Sequence, residues 1–590
     1  MTPVPRRHLI VGALLVAIIL GGGIAIVVLL RVSQRPSATA VVDQRVPAVP
    51  DLSRWPVEFQ RRVRETTAAV LNEKKSHTAL AELACLYFAN GFDAESQHLL
   101  EDLCHQEPEN ARWPYFLAEL HRRRGDTAER EVVLRNAVHL AREYVPGWLR
   151  LGELLAQRGN VDARSFYAQA RKLAPDSIHA AYDAIAYEAR YGNSQDALRE
   201  LLPLVHEHSD VAQLHALLGE LLAATGDAVG AERERHLAAT AARELDTTDP
   251  WIDELMPLCF DATRVSLRAI AAFRERRLTN AEKLLQQAIS LAPADPTLRD
   301  SLSHVYEQLD RPADARTVLE KAVADFPTDT TMRGRLARLL SKEHRTDEAI
   351  AMLRTALQRW PNDAGLHGAL GFTFRDAGKN SDALPEFREA VRFDPTFVEA
   401  YYQLAFCLLA SGQRDAARAS AEKALAMRPD YFEALIFLAS LALESGDVAS
   451  SEQQAGRAYA LRPDDPGARL VFATLQLLKG SMAKDQGRDT DAENFFRAGL
   501  AANPDFAPLW LESGALAAQR GQLPAARDAF ARHVRLEPDD PRAYVALGKI
   551  LLALGQPADA RQILERGLAA AQKAGAQAQI DECRRLLNSP

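Results

Sequence analysis

Residues whose types and spacing could do chemistry are few in this chain, and they do not converge. His206, His208, Asp210 and His215 fall within ten positions. Imidazoles beside a carboxylate at that spacing could hold zinc, and polar loop residues facing water account for them equally. Leu103-Cys104-His105 lacks the first cysteine of a haem-attachment motif. Gly378-Lys379 stands without the glycine that a phosphate-cradling loop needs ahead of it. Neither His-Glu-x-x-His nor Gly-x-Ser-x-Gly occurs, so metal-assisted hydrolysis and elbow-type acyl transfer have no local signature. The expectation is a chain with no catalysis of its own and with no cofactor or metal.

The elements around these residues follow a fixed beat. Pro293, Pro327, Pro361, Pro395, Pro429 and Pro463 stand 34 residues apart, and Pro504 and Pro538 keep the same phase. With Pro293 as position 32 of a unit, position 8 is small in thirteen of fourteen units (Ala84, Gly152, Gly371 and Ala405 among them), with Ile185 the exception. Position 20 is small except at Arg130. Two antiparallel helices joined by a short turn interlock only if small residues sit where they cross. Glycine at position 15 (Gly91, Gly125, Gly159, Gly192, Gly226 and Gly378 among others) ends the first helix, where a left-handed backbone is expected. Proline at 32 ends the second. A period of 34 with these residues resembles the tetratricopeptide repeat family, over fourteen units from about His77 to Gly575. The resemblance implies an all-α fold, a right-handed superhelical solenoid of about 14 helical hairpins.

Outside the repeats, residues 1–8 are a short basic tail and Leu9–Leu30 is a run of 22 residues without charge. At about 1.5 Å per residue it is long enough for one N-terminal transmembrane helix, an uncleaved signal anchor. The rival is a cleaved signal peptide ending at Ala38-Thr39-Ala40. Ala13, Ala17, Gly21 and Ala25 form a small-residue stripe that could pair two anchors into a homodimer, or merely reflect how common such residues are in membrane helices. Residues 31–54 read as a linker, 55–76 as an N-terminal capping helix, 77–243 as repeats one to five and 262–575 as repeats six to fourteen. Between the two arrays, 244–261 carries Pro250, Trp251, Pro257 and six carboxylates with no repeat phase, and reads as a joint. Residues 576–590 form the C-terminal cap, since a terminal repeat otherwise leaves an apolar face in water. In repeat twelve the spacing from Pro463 to Pro504 is 41. Seven extra residues are about two helical turns, so a protruding helix tip near Lys479–Arg488 is expected.

A net charge of −8 over 590 residues is mild and gives no basic footprint for nucleic acid. Cys85 and Cys104 are offset along one hairpin, so no disulfide is expected between them, and the five cysteines leave the compartment open. A solenoid lying outside the cytoplasm, on the periplasmic side of a bacterial envelope, is the favoured orientation, with the cytoplasmic one left open.

The family resemblance also supplies a map of the concave groove, lined by positions 2, 5, 6, 9, 12 and 13 of each first helix. In repeats nine to twelve these positions carry Phe372, Tyr402, Phe406, Leu409, Ile436, Phe437, Leu443, Leu470 and Val471, an apolar set of the kind that marks a partner site. Burial by tighter winding or by the chain's own insertion is the competing account. Arg335, Arg338 and Arg375 lie beside this set, and Arg112, Tyr115, Phe116, Arg122 and Arg123 line repeat two. Guanidinium groups there could take the carboxylates of an acidic or C-terminal peptide, or simply be solvated. Position 6 never carries Asn, so the asparagine-dependent specialisations of the family are not implied. The expected function is a membrane-tethered scaffold that binds partner segments in its groove. The alternative is a non-catalytic accessory subunit of a membrane or envelope complex.

Overall fold

The computed structural model describes residues 46–72 and 76–588. Within them the regular structure is α-helical apart from a 3-10 turn at Met256–Leu258 and one isolated β-bridge between Val211 and Arg243. Among the described residues no helix is long and apolar enough to cross a membrane. The expected transmembrane segment, residues 9–30, lies outside them.

Fourteen helix pairs succeed one another, from Ser76–Asn90 with Asp93–Gln106 to Pro541–Ala553 with Pro557–Ala574. The boundaries follow from local chemistry. Each proline of the beat falls just past a helix end, and in five units the aspartate two residues later caps the next helix. Asp295, Asp329, Asp363, Asp465 and Asp540 each accept a backbone N–H from the first turn they precede. Such a cap satisfies a donor that the helix itself leaves unpaired, which stabilises it by about 1 kcal/mol.

The small positions sit at the crossings as expected. At the position-8 glycines Gly152, Gly371, Gly514 and Gly548 the partner helix lays a large side chain over the backbone. A Cβ on Gly371 would stand 2.8 Å from the Phe387 ring, and one on Gly514 2.7 Å from Phe530. At the turn after the first helix the glycines take positive φ, for example 73° at Gly378 and 79° at Gly412. Gly192 does not: its φ is −117°, so the expected left-handed turn is replaced there. Repeats six, seven and eight lack glycine at this position, and Arg276, Asp310 and His344 are driven to φ of 61°, 56° and 60° instead. The turn geometry is therefore imposed by the packing of the hairpin and not by glycine alone.

The chain divides into two compact units. One comprises Met1–Leu221 and Ala241–Leu309; the other comprises Leu222–Thr240 and Asp310–Pro590. In the first unit, helix Val57–Val70 lies against Ser76–Asn90 and buries Phe59 and Val63 completely. In the second, helix Ala228–Thr240 lies beside Val448–Leu461, and Gln577–Leu587 closes the far end with Ile580 and Cys583 buried.

Repeat twelve does lengthen its first helix, to Pro466–Asp485. The expected protruding tip is corrected, however. Gly480 and Ala483 are buried, with Gly480 under the Phe496 ring where other repeats place position 8. Lys479 pairs with Glu452 on one side at 2.5 Å, and Lys484 pairs with Glu512 on the other. Met482 and residues 485–488 are exposed at the end. Because seven residues return the helix to nearly the same face, the extra turns pack between both neighbours instead of projecting.

Candidate functional site

The second unit carries the groove read from repeats eight to twelve. Arg335 and Arg338 on Thr330–Lys342 and Phe372 and Arg375 on Ala364–Asp376 line one pocket of about 320 Å³, floored by Gly334, Gly365 and Ala369. Arg375 stacks over the Phe372 ring, 5.6 Å from its centre, and pairs with Asp376 at 2.6 Å. Arg338 is exposed. Beyond the pocket, Tyr402 meets the Phe437 ring edge-on at 6.2 Å. Burial holds the Tyr402 hydroxyl above its ordinary pKa. Phe406 is 44% exposed and Leu470 48%. Leu409, Ile436, Phe437 and Leu443 are half-buried. Ile436 and Leu443 lean on a cluster that contains Val471, and Val471 is itself buried there with Ala439, Ala455 and Leu475. Val471 is thus a core residue, packed against Ala439 and Ala455 of the preceding hairpin.

The first unit holds a site that the sequence pattern did not disclose. Its groove is filled by the segment read as a joint. The segment starts at the β-bridge, where Ala212 N–H donates to Arg243 O at 2.9 Å and Arg243 N–H donates to Asp210 O at 3.0 Å. It then runs back across the repeats in reverse order. Leu245 N–H donates to the Gln213 side chain in repeat five at 2.8 Å. Thr247, Thr248 and Asp249 close a cavity of about 190 Å³ against Arg150, Glu153, His179 and Asp183 of repeats three and four. The Tyr115 hydroxyl of repeat two donates to one Asp249 oxygen, and the Tyr144 hydroxyl donates to the other at 2.6 Å. Trp251 stacks on Tyr144 with ring centres 3.6 Å apart, and Glu254 pairs with Arg112 at 2.8 Å. In repeat one, Asn90 grips the main chain twice: its Nδ2 donates to Leu258 O at 2.8 Å and its Oδ1 accepts from Phe260 N–H at 2.6 Å.

Burial, then the neighbouring Asp249 carboxylate, raises both tyrosine hydroxyls far above their ordinary pKa, so they remain donors. The repeat-two arginines are accordingly engaged: Arg112 with Glu254, Arg122 with Glu119 at 2.7 Å, and Arg123 with Asp93 at 2.8 Å. Tyr115 and Phe116 are buried. Arg130, the one large residue at a position-20 crossing, is buried beside Glu153 at 3.5 Å, and desolvation lowers its pKa. The sequence signals for this segment were its six carboxylates, its two prolines, Trp251 and the loss of repeat phase, and nothing in them says what they would face.

The histidine cluster of repeats four and five does not assemble. Nε2 of His215 meets Ser209 O at 2.9 Å, and Asp210 pairs with Arg243 at 3.0 Å. Among the described residues the group with ligand atoms closest together is His533, Glu537 and Asp540. There Nδ1 of His533 meets Ala507 O at 2.9 Å, while Asp540 already receives the Arg542 guanidinium at 2.8 Å and caps its own helix. All five cysteines are free thiols; burial pushes Cys85 up to about 12 and Cys104 to about 11.

Two family models, each described as tetratricopeptide repeat, match the chain. One covers residues 272–339, 374–422 and 517–580, and the other 334–396, 402–466 and 477–541. The chain belongs to the tetratricopeptide repeat family. A comparison with curated proteins finds no match. Among solved structures, the APC/C hetero-tetramer Cut9–Hcn1 is similar at 16% identity over 84% of this chain and 94% of that one, with a TM-score of 0.28. Naa15/Naa10 bound to HypK-THB matches at 14% identity over 90% and 97%, with a TM-score of 0.29. Pseudomonas aeruginosa pilF matches at 16% identity over 35% of this tetratricopeptide repeat chain and 95% of its own, with a TM-score of 0.30. None of the three scores indicates a shared overall arrangement.

Proposed function

We propose that this protein is a non-catalytic scaffold that captures a partner segment in the groove of repeats eight to twelve. The observation that carries the reading is the convergence of Arg335, Arg338 and Arg375 on one pocket beside Phe372, with Phe406 and Leu470 exposed further along the same unit. The partner is a peptide or helix with an apolar face and a carboxylate: the aromatic and aliphatic side chains bury its apolar groups, and the guanidinium groups fix its orientation. Tetratricopeptide repeats commonly hold other proteins in this way, which supports the reading at the level of class. Tethering to a membrane through Leu9–Leu30, with the solenoid on the extracytoplasmic side, is part of the same proposal and rests on the uncharged run alone. Pairing of two anchors through their small-residue stripe is a further element of it.

Cross-linking in the native membrane followed by identification of the partner tests the proposal. Phe406→Asp and Arg338→Glu should each reduce recovery of that partner at least tenfold while the helical circular dichroism stays unchanged. Recovery at wild-type yield from both variants would overturn the groove assignment. A reporter fusion that places the C-terminus in the cytoplasm would overturn the orientation.

A further inference from the structure

We infer that the groove of repeats one to five is a second recognition site, for an acidic–aromatic segment that is irregular apart from two short helical turns, and that residues 245–260 are its tethered occupant. The contacts are those by which a groove reads a peptide. Asn90 holds a carbonyl and an N–H of the segment's main chain, and Gln213 takes another N–H. Side-chain amides that satisfy backbone groups grip an irregular chain irrespective of its sequence. Specificity is set at one place, where Asp249 accepts from Tyr115 and Tyr144 and Trp251 stacks on Tyr144. A carboxylate held by one buried and one half-buried hydroxyl is a charge-assisted contact that an amide or apolar side chain does not reproduce.

The segment lies on the groove and is not woven through the core. Leu245, Asp249, Leu255 and Cys259 face inward, while Asp246, Pro250, Glu254 and Pro257 are exposed. Pro250 opens a single helical turn, Pro250–Asp253, and Pro257 lies in a 3-10 turn, Met256–Leu258, so the segment forms no long helix. Its far side is also held, by Arg268 on Asp253 at 2.6 Å and by Gln287 on two carbonyls at 2.8 Å. Repeat six therefore acts as a clasp over the occupied groove. A partner that presents carboxylate, proline, aromatic and acidic residues in the order of Asp249 to Glu254 matches the same contacts, and reaches them by displacing the resident segment. A tethered occupant competes at an effective concentration on the order of millimolar, so the site is closed until that occupant is weakened.

The probe is a fluorescent synthetic peptide of residues 244–261, titrated against the full chain. Wild type should bind it weakly. Asp249→Ala with Trp251→Ala loosens the resident segment without touching the groove, and should tighten binding of the peptide at least tenfold. Adding Asn90→Ala should remove that gain. If the folded double variant binds no better than wild type, or Asn90→Ala leaves the gain intact, the inference fails. Hydrogen exchange on the wild-type chain decides the matter without any variant. Excess peptide should speed exchange at the amides of Leu245 and Phe260 severalfold, ahead of those in Ser76–Asn90. Exchange at the two sets of amides at one common rate, unmoved by peptide, would make the segment a fixed part of the core and overturn the inference.

Discussion

Gly371 and Gly456 have the same side chain and opposite roles. Gly371 lies under the Phe387 ring, whereas a Cβ on Gly456 would meet nothing within 4 Å. Gly371→Ala should lower stability by about 1–3 kcal/mol, because the ring must move out of a packed crossing. Gly456→Ala should raise it by about 0.5–1 kcal/mol, through helix propensity alone. Denaturant titration of the two variants checks both signs. The tyrosines of the filled groove give a pH dependence. Their folded pKa lies above the unfolded value of about 10, so the folded state holds protons that the unfolded chain releases at high pH. The contribution of Tyr115 and Tyr144 is intact below pH about 10 and is lost as the pH climbs above it. Unfolding measured at pH 8 and pH 11 should show this loss in wild type, and Tyr115→Phe with Tyr144→Phe should reduce it, the rest coming from other buried tyrosines such as Tyr87 and Tyr167.

At the scale of elements, the helix Pro466–Asp485 shows how a repeat absorbs an insertion. Ala473 holds the position-8 place counted from Pro463, and Gly480 holds it against Phe496; both are buried. Seven residues rotate a helix by roughly 700°, within about 20° of two full turns, so one face serves both contacts. Deleting Ala473–Lys479 should therefore leave a folded array with Gly480 serving both neighbours. Deleting Leu475–Lys479 rotates the remainder by roughly 500° and presents the wrong face. Circular dichroism should show a cooperative transition for the seven-residue deletion and its loss for the five-residue one. Surface pairs such as Lys479 with Glu452 contribute little in either case, about 1 kcal/mol or less.

At the scale of the molecule, stability is distributed over two units, and the tryptophans report on them unequally. Trp55, Trp113, Trp148 and Trp251 belong to the first unit, and Trp360 and Trp510 to the second. Asp249→Ala removes the acceptor of two hydroxyls, one of them fully buried. It should shift the fluorescence-detected transition to lower denaturant by about 1–3 kcal/mol. A helical transition reporting on repeats eight to fourteen should not move, since repeat arrays are stabilised by nearest-neighbour terms. A single transition that shifts as a whole would show instead that the two units unfold together.

The sequence by itself determined the hairpins. A period of 34, small residues at positions 8 and 20 and a proline past each second helix are local requirements of helix, turn and crossing, so each is legible wherever it occurs. It also brought out the arginines of repeats eight and nine as neighbours, because one helix face repeats in every unit. Only the tertiary structure decided what the unpatterned residues do. Asp249, Trp251 and Asn90 are separated by some 160 positions at their extremes and follow no shared period, yet they meet in one groove. Their contacts depend on where an irregular segment is laid, and its two short helical turns carry no periodicity from which that course is readable. The same holds for Val471 and for the buried tip of repeat twelve: the residue types were compatible with exposure, and the packing of the neighbouring hairpins buried them.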